Sequence, residues 1–320
     1  MQSEFEFIQH LKEKYSLKAI GDDCAVVPRD AQFDTVLTAD MLVEDIDFRL
    51  EWTTPEFLGY KALAVSVSDI AAMGADPVWA LLSVALPEVL WKSDFLDRFY
   101  EGWFELACDL GIELIGGDIS RAPDRLVIDS TVGGEVAKGR AILRSGAAAG
   151  DLLFVTGALG GSAGGLQLLE SGTRYSGSEN SRISEVILKQ LRPTPQIVAS
   201  NLLQTRSLAT AMIDLSDGLS SDLVHLMDAS GTGCRLDRGK IPVEAALGTL
   251  FKAEAAASMA LDGGEDYELL FSVCATDAQA VIDLGFICIG EVTSDHGQHE
   301  LISRTETRSL RPRGYQHFGD

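Results

Sequence analysis

Residues 53–74 read TTPEFLGYKALAVSVSDIAAMG, and the fold turns on how this stretch is taken. Thr54 followed by Pro55 is a helix start, with the hydroxyl as N-cap and the proline at the first helical position. Gly74, followed by ADP, is a stop. Inside the helix sits Asp69, flanked by Ser68, Ile70, Ala71 and Ala72. A carboxylate there cannot cap the helix, and burying it unpaired is costly, so it should meet a cation or a donor.

Working outward, DTVLTAD (34–40), LVIDSTVGG (126–134) and the apolar runs near 78–86 and 112–115 read as strands. SDFLDRFYEGWFELACDLG reads as a second helix from a Ser93 cap to Gly111. Four strands and two helices of this kind predict an α+β domain with helices on one sheet face. RSGAAAGD (144–151) reads as a boundary of small, flexible residues, which divides the chain into 1–145 and 146–320. The second part mixes the strands LLFVTG, ELLFSVC and FICIG with helices near 162–171, 183–191, 196–204, 218–230 and 276–284. Pro193 and Pro195 separate two of these helices. It is expected to be a mixed α/β domain.

The 320 residues carry 26 basic and 48 acidic side chains, a net charge of −22, and are 46% hydrophobic. That balance argues against nucleic acid or an anionic membrane as partner. It also implies that cations must stand between the chain and any phosphate it binds. No secretory signal or membrane-length apolar run is visible, and the five cysteines are scattered, so a cytoplasmic chain with buried, reduced thiols is expected.

Aspartates recur where apolar elements stop. Asp22 and Asp23 adjoin in AIGDDCAVV (19–27), at what reads as the end of a buried strand; two carboxylates ~4 Å apart repel by roughly 4 kcal/mol near a protein surface, so a positive group belongs beside them. Asp40 closes TVLTAD, Asp118 follows LIGG, and Asp214 and Asp217 lie in AMIDLSDGLSSDL. One such aspartate is ordinarily a cap or a turn residue. Dispersed repetition instead suggests several magnesium ions holding a polyphosphate, each bound by one or two carboxylates. Asp217 reads equally as an N-cap, and Ser216 with that helix start could offer a hydroxyl and N–H groups to phosphate. GALGGSAGG (157–165) lacks the Lys-Ser/Thr of a P-loop and the spacing of a dinucleotide fingerprint, so it reads first as a turn with close helix packing and second as a phosphate contact. HGQH (296–299) reads as a surface loop, His10, His225 and His317 as isolated, and no Ser-His-Asp arrangement can be built.

The ordered set IGDDCAVV, TAD, KALAVSVSDIAAMGADP, LIGGDISR, LRSGAAAGD, RPTPQ, IDLSDGLSSDL, GGEDYELLF and GYQHF resembles the thiamine-monophosphate kinases of the aminoimidazole-ribonucleotide-synthetase-like superfamily, from about residue 20 onward. The resemblance implies a synthetase-type N-terminal and a synthetase-type C-terminal domain, ATP in a cleft, several magnesium ions, and a homodimer joined through the N-terminal domains. It implies Asp23, Thr38, Ala39, Asp40, Asp69, Asp118, Asp214 and Asp217 as metal residues, with Asp69, Asp118, Asp214 and Asp217 central to catalysis. Gly117, Asp118, Arg144 and Ser216 are implied as ATP contacts, and Asp47, Glu265 and Tyr315 as contacts to thiamine monophosphate. Two positions depart from the pattern: Ala39 stands where threonine is usual, and Asp47 where a histidine usually faces the acceptor. Selenophosphate synthetases and hydrogenase-maturation proteins share the general plan but carry reactive cysteines that are not found here. A non-catalytic cation-binding protein would bind metal without ATP.

Overall fold

The computed structural model describes residues 4–177 and 181–317; Phe318 of the closing motif lies outside them. The first part runs α1 (Glu4–Tyr15), β1 (Ala25–Pro28), β2 (Phe33–Val43), α2 (Pro55–Ala72), β3 (Asp76–Leu86), α3 (Glu88–Trp91), α4 (Phe95–Leu110), β4 (Glu113–Arg121) and β5 (Val127–Ala137). Its strands form one sheet in the order β1-β2-β5-β3-β4, antiparallel except for the β3–β4 pair, which α4 connects. The second part continues with β6 (Leu152–Val155), α5 (Gly161–Glu170), α6 (Arg182–Leu191), α7 (Ile197–Thr205), β7 (Ala209–Asp214), α8 (Leu219–Ser230) and β8 (Gly233–Asp237). It ends with α9 (Leu247–Leu250), α10 (Ala253–Asp262), β9 (Leu269–Val273), α11 (Ala278–Asp283), β10 (Ile287–Thr293), β11 (His299–Ile302) and β12 (Thr307–Ser309). Its sheet is ordered β12-β11-β8-β10-β6-β9-β7.

The helix read from residues 53–74 is α2, and it holds the molecule together. Thr54 Oγ1 accepts from Phe57 N–H at 3.3 Å, Pro55 opens the helix, and Gly74 turns the chain at φ +68°. Almost all of α2 is buried, because it packs against β2 and β5 on one side and β7 and α7 on the other. Its small residues permit this. Ser66 Oγ donates to the Ser130 carbonyl at 3.0 Å, and Ser200 Oγ of α7 to the Ala71 carbonyl at 2.6 Å. Against α4 the contact is made at glycines: a Cβ on Gly59 would lie 1.9 Å from the Phe99 carbonyl oxygen, and one on Gly102 1.8 Å from that of Glu56. One apolar cluster therefore runs from Val36 and Leu63 through to Phe154 and Phe271, joining both sheets around α2.

Several local readings need correction. Asp22 and Asp23 do not end a strand; residues 21–24 are bends that lead into β1. All five cysteines are free, yet Cys108 and Cys274 are exposed rather than buried. His299 is no surface-loop residue: it opens β11 and is buried beside Cys234. Among the described residues no helix is long and apolar enough to cross a membrane.

Candidate active site

A cavity of about 1110 Å³ opens between the two sheets, lined on one side by Asp22, Asp40, Asp47 and Val65 and on the other by Ser216, Asp217, Gly263, Glu265 and Tyr315. Beneath it three carboxylates meet. Single oxygens of Asp23, Asp69 and Asp214 all lie within 4.8 Å of one another, although the residues come from the turn before β1, from α2 and from the end of β7. Burial raises Asp69 well above the usual carboxylate range, and its neighbours Asp40, Asp214 and Asp23 add to this. Burial and then Asp23 bring Asp214 to about 7, and burial brings Asp40 to about 6. Protein donors supply only part of the compensation: Thr38 Oγ1 donates to Asp69, and Ser68 Oγ to Asp214 at 2.6 Å.

The positive group expected beside Asp22 and Asp23 is Arg144. Its backbone N–H donates to Asp22 Oδ1 at 2.8 Å and its guanidinium to Asp23 Oδ1 at 2.6 Å. Even so, Asp23 Oδ2 and Asp40 Oδ2 are buried without a hydrogen-bond partner. Unpartnered carboxylate oxygens at this density are relieved either by protonation, the direction in which burial pushes them, or by a cation. An all-oxygen donor set fits a hard divalent ion such as magnesium.

The remaining predicted residues divide. Asp40 and Thr38 project from the helix-facing side of β2, whereas Ala39 is exposed on the opposite side. Ser216 and Asp217 line the cleft, but Asp217 does not cap α8. Instead the buried Asp222 accepts from the N–H groups of Asp217 at 3.2 Å and Gly218 at 2.9 Å, so those donors are not free for phosphate. The glycine stretch behaves likewise: Asp266 accepts from Gly160 N–H at 2.5 Å and Ser162 N–H at 3.1 Å, while Gly164 and Gly165 admit Leu247 and α6 closely. Gly117 and Asp118 lie on the exposed edge strand β4, outside the cleft lining. Asp118 is in register with Ser83, Asp129 and Met41, three strand spacings (~14 Å) from β2.

At the other end Asp47, Glu265 and Tyr315 come together. Asp47 accepts from Val43 N–H at 2.7 Å and is raised, by burial first, with Glu265, Lys61 and His317 close enough to act on it. Glu265 adopts φ +63°, and its N–H donates to the Ser216 carbonyl at 2.7 Å. Both its carboxylate oxygens are engaged, one by Lys61 Nζ at 2.8 Å and the other by Gln190 Nε2, which Ser162 Oγ braces in turn. Lys61 was not singled out in the sequence, yet Lys61, Val65 and Asp69 form an i, i+4, i+8 row on α2 that runs from this end to the carboxylate group. A lysine inside a small, apolar helix was the available signal.

Residues 21–136 match the family described as AIR synthase related protein, N-terminal domain, and residues 148–299 its C-terminal domain, which defines the class of this two-domain fold. The thiamine-monophosphate kinase of Escherichia coli K12 is 40% identical over 305 residues, 93% of this chain and 91% of that one. That of Bacillus subtilis is 37% identical over 309 residues, 93% of each. A solved structure of AaThiL complexed with AMPPCP and TMP superposes with a TM-score of 0.87 at 33% identity, covering 98% of this chain and 97% of that one. The chain belongs to the thiamine-monophosphate kinase family.

Proposed function

We propose that the cleft phosphorylates thiamine monophosphate to thiamine diphosphate with ATP, by direct in-line transfer between two phosphates held above Asp23, Asp69 and Asp214. The convergence of these three carboxylates, in a chain of net charge −22 that belongs to this family, carries the reading. Magnesium bound by Asp23, Asp69 and Asp214, with Asp40 adjoining and Asp217 toward the rim, supplies the positive charge that offsets repulsion between the two polyanions.

The protein's own part is positioning. Ser68 and Thr38 fix carboxylate oxygens on opposite sides of the group, and Arg144 pins Asp23. Asp222 sets the turn that carries Ser216 and Asp217. A phosphate monoester has a second pKa near ~6, so the attacking oxygen is already mostly ionised at neutral pH and no side chain need remove a proton. Asp47, Glu265 and Tyr315 form the acceptor end. Because Lys61 already neutralises Glu265, the charge that faces the cationic thiazolium ring is that of Asp47.

A homodimer completes this reading. Strand β4 is exposed along almost its whole length and carries Ile115 and Ile119 at 53% and 48% exposure. Pairing of two N-terminal domains there would bring Gly117 and Asp118 of one copy toward the cleft of the other. An assay with ATP and magnesium against thiamine monophosphate, thiamine and aminoimidazole precursors tests the function. Turnover of thiamine monophosphate is expected, and turnover of another acceptor alone would overturn the assignment.

A further inference from the structure

A chain this acidic must find positive charge for two polyanions, and the usual source is blocked. At the starts of α5 and α8, both of which contribute residues to the cleft lining, N–H groups are taken by Asp266 and Asp222. Two of the cations at the site are committed as well, Lys61 to Glu265 and Arg144 to Asp23.

Arg313 differs. It lines the cleft, as Lys12 also does, and among the described residues its guanidinium has no carboxylate within ion-pair distance, whereas twelve other lysines and arginines do have one.

Its backbone is seated firmly. Arg313 N–H donates to Ser220 Oγ at 3.2 Å, Gly314 N–H to Ser221 Oγ at 3.0 Å, and Tyr315 N–H to the Asp217 carbonyl at 3.1 Å. A Cβ on Gly314 would lie 2.3 Å from that carbonyl oxygen, so the segment sits in this register only with glycine there. Arg313 is thereby tied beside the Ser216–Asp217 turn and lies two residues from Tyr315 at the acceptor end. We propose that Arg313 is a phosphate-binding residue whose planar guanidinium takes non-bridging oxygens of the phosphoryl group in transit, the terminal phosphate of the nucleotide. This rests on the reading of the cleft as the kinase site. A guanidinium fork matches phosphate oxygens in pairs, which an ammonium group cannot do.

The test is calorimetry at fixed magnesium with the full-length chain, Arg313→Gln and Arg313→Lys, each titrated with a non-hydrolysable ATP analogue and with ADP. Arg313→Gln is expected to lose roughly ten- to a hundredfold in affinity for the triphosphate, with ADP changed less than about threefold and Arg313→Lys falling between. Equal affinities of wild type and Arg313→Gln for the triphosphate, or an equal loss for both nucleotides, would overturn the assignment. Failure of the wild type itself to bind the analogue would instead refute the kinase reading of the cleft, and the assignment with it.

Discussion

Asp69 and Asp22 are both acidic and close in the fold, but they differ in what surrounds them. Asp69 is one of three mutually close carboxylates, and Thr38 supplies only one donor to it; Asp22 lines the cleft and accepts from the Arg144 backbone. Asp69→Asn should therefore cost at least about a hundredfold in kcat, the scale of losing one transition-state electrostatic contact, and Asp22→Asn far less. Equal, mild losses in steady-state assays would contradict this. Asp47→Ala should raise the KM for the acceptor and leave that for ATP unchanged. The raised groups also fix a pH dependence. Asp214 and Asp40 move from 3.8 up to about 7 and about 6. A carboxyl raised in the folded state contributes stability that is present below its unfolded pKa and lost as pH rises through the folded one. The metal-free chain should thus lose melting temperature between about pH 4 and 7 from these groups, and magnesium should restore more at the upper end, because its ligands must be deprotonated. Asp214→Asn should flatten the trend in thermal melts.

The elements that place these residues were legible to different degrees. The ends of α2 could be read from Thr54, Pro55 and Gly74, because capping is local chemistry, and the odd position of Asp69 could be read from its apolar neighbours. The partners were not legible. Nothing near residue 69 in the chain announces Asp214, 145 positions later, or assigns Arg144 to Asp23; those contacts exist only once α2 is packed between two sheets. β1 was missed because four residues with a terminal proline carry little periodic signal, and Asp222 was missed because one buried carboxylate in SSDL looks like an ordinary helix residue. The α2–α4 crossing gives a test at this scale. Gly102→Ala would drive a Cβ into the Glu56 carbonyl and should destabilise the fold by about 1–3 kcal/mol in denaturant unfolding, with Ala107→Gly expected to act differently because it opens space.

At the scale of the molecule, two residues that the family resemblance implies stand apart from the cleft. Gly117 and Asp118 belong to the family's nucleotide apparatus by resemblance, yet stand on an exposed edge ~14 Å from β2. If they serve the cleft of a second copy, mixing inactive Asp118→Asn with inactive Asp69→Asn chains should restore part of the activity as subunits exchange. Sites confined to one chain would show no rescue. The central claim, that carboxylates from distant parts of the chain hold divalent ions that in turn hold the triphosphate, is tested most directly by calorimetry of a non-hydrolysable ATP analogue with and without magnesium. Binding should require magnesium and should weaken sharply in Asp69→Asn. Undiminished binding in the presence of a chelator would contradict the account.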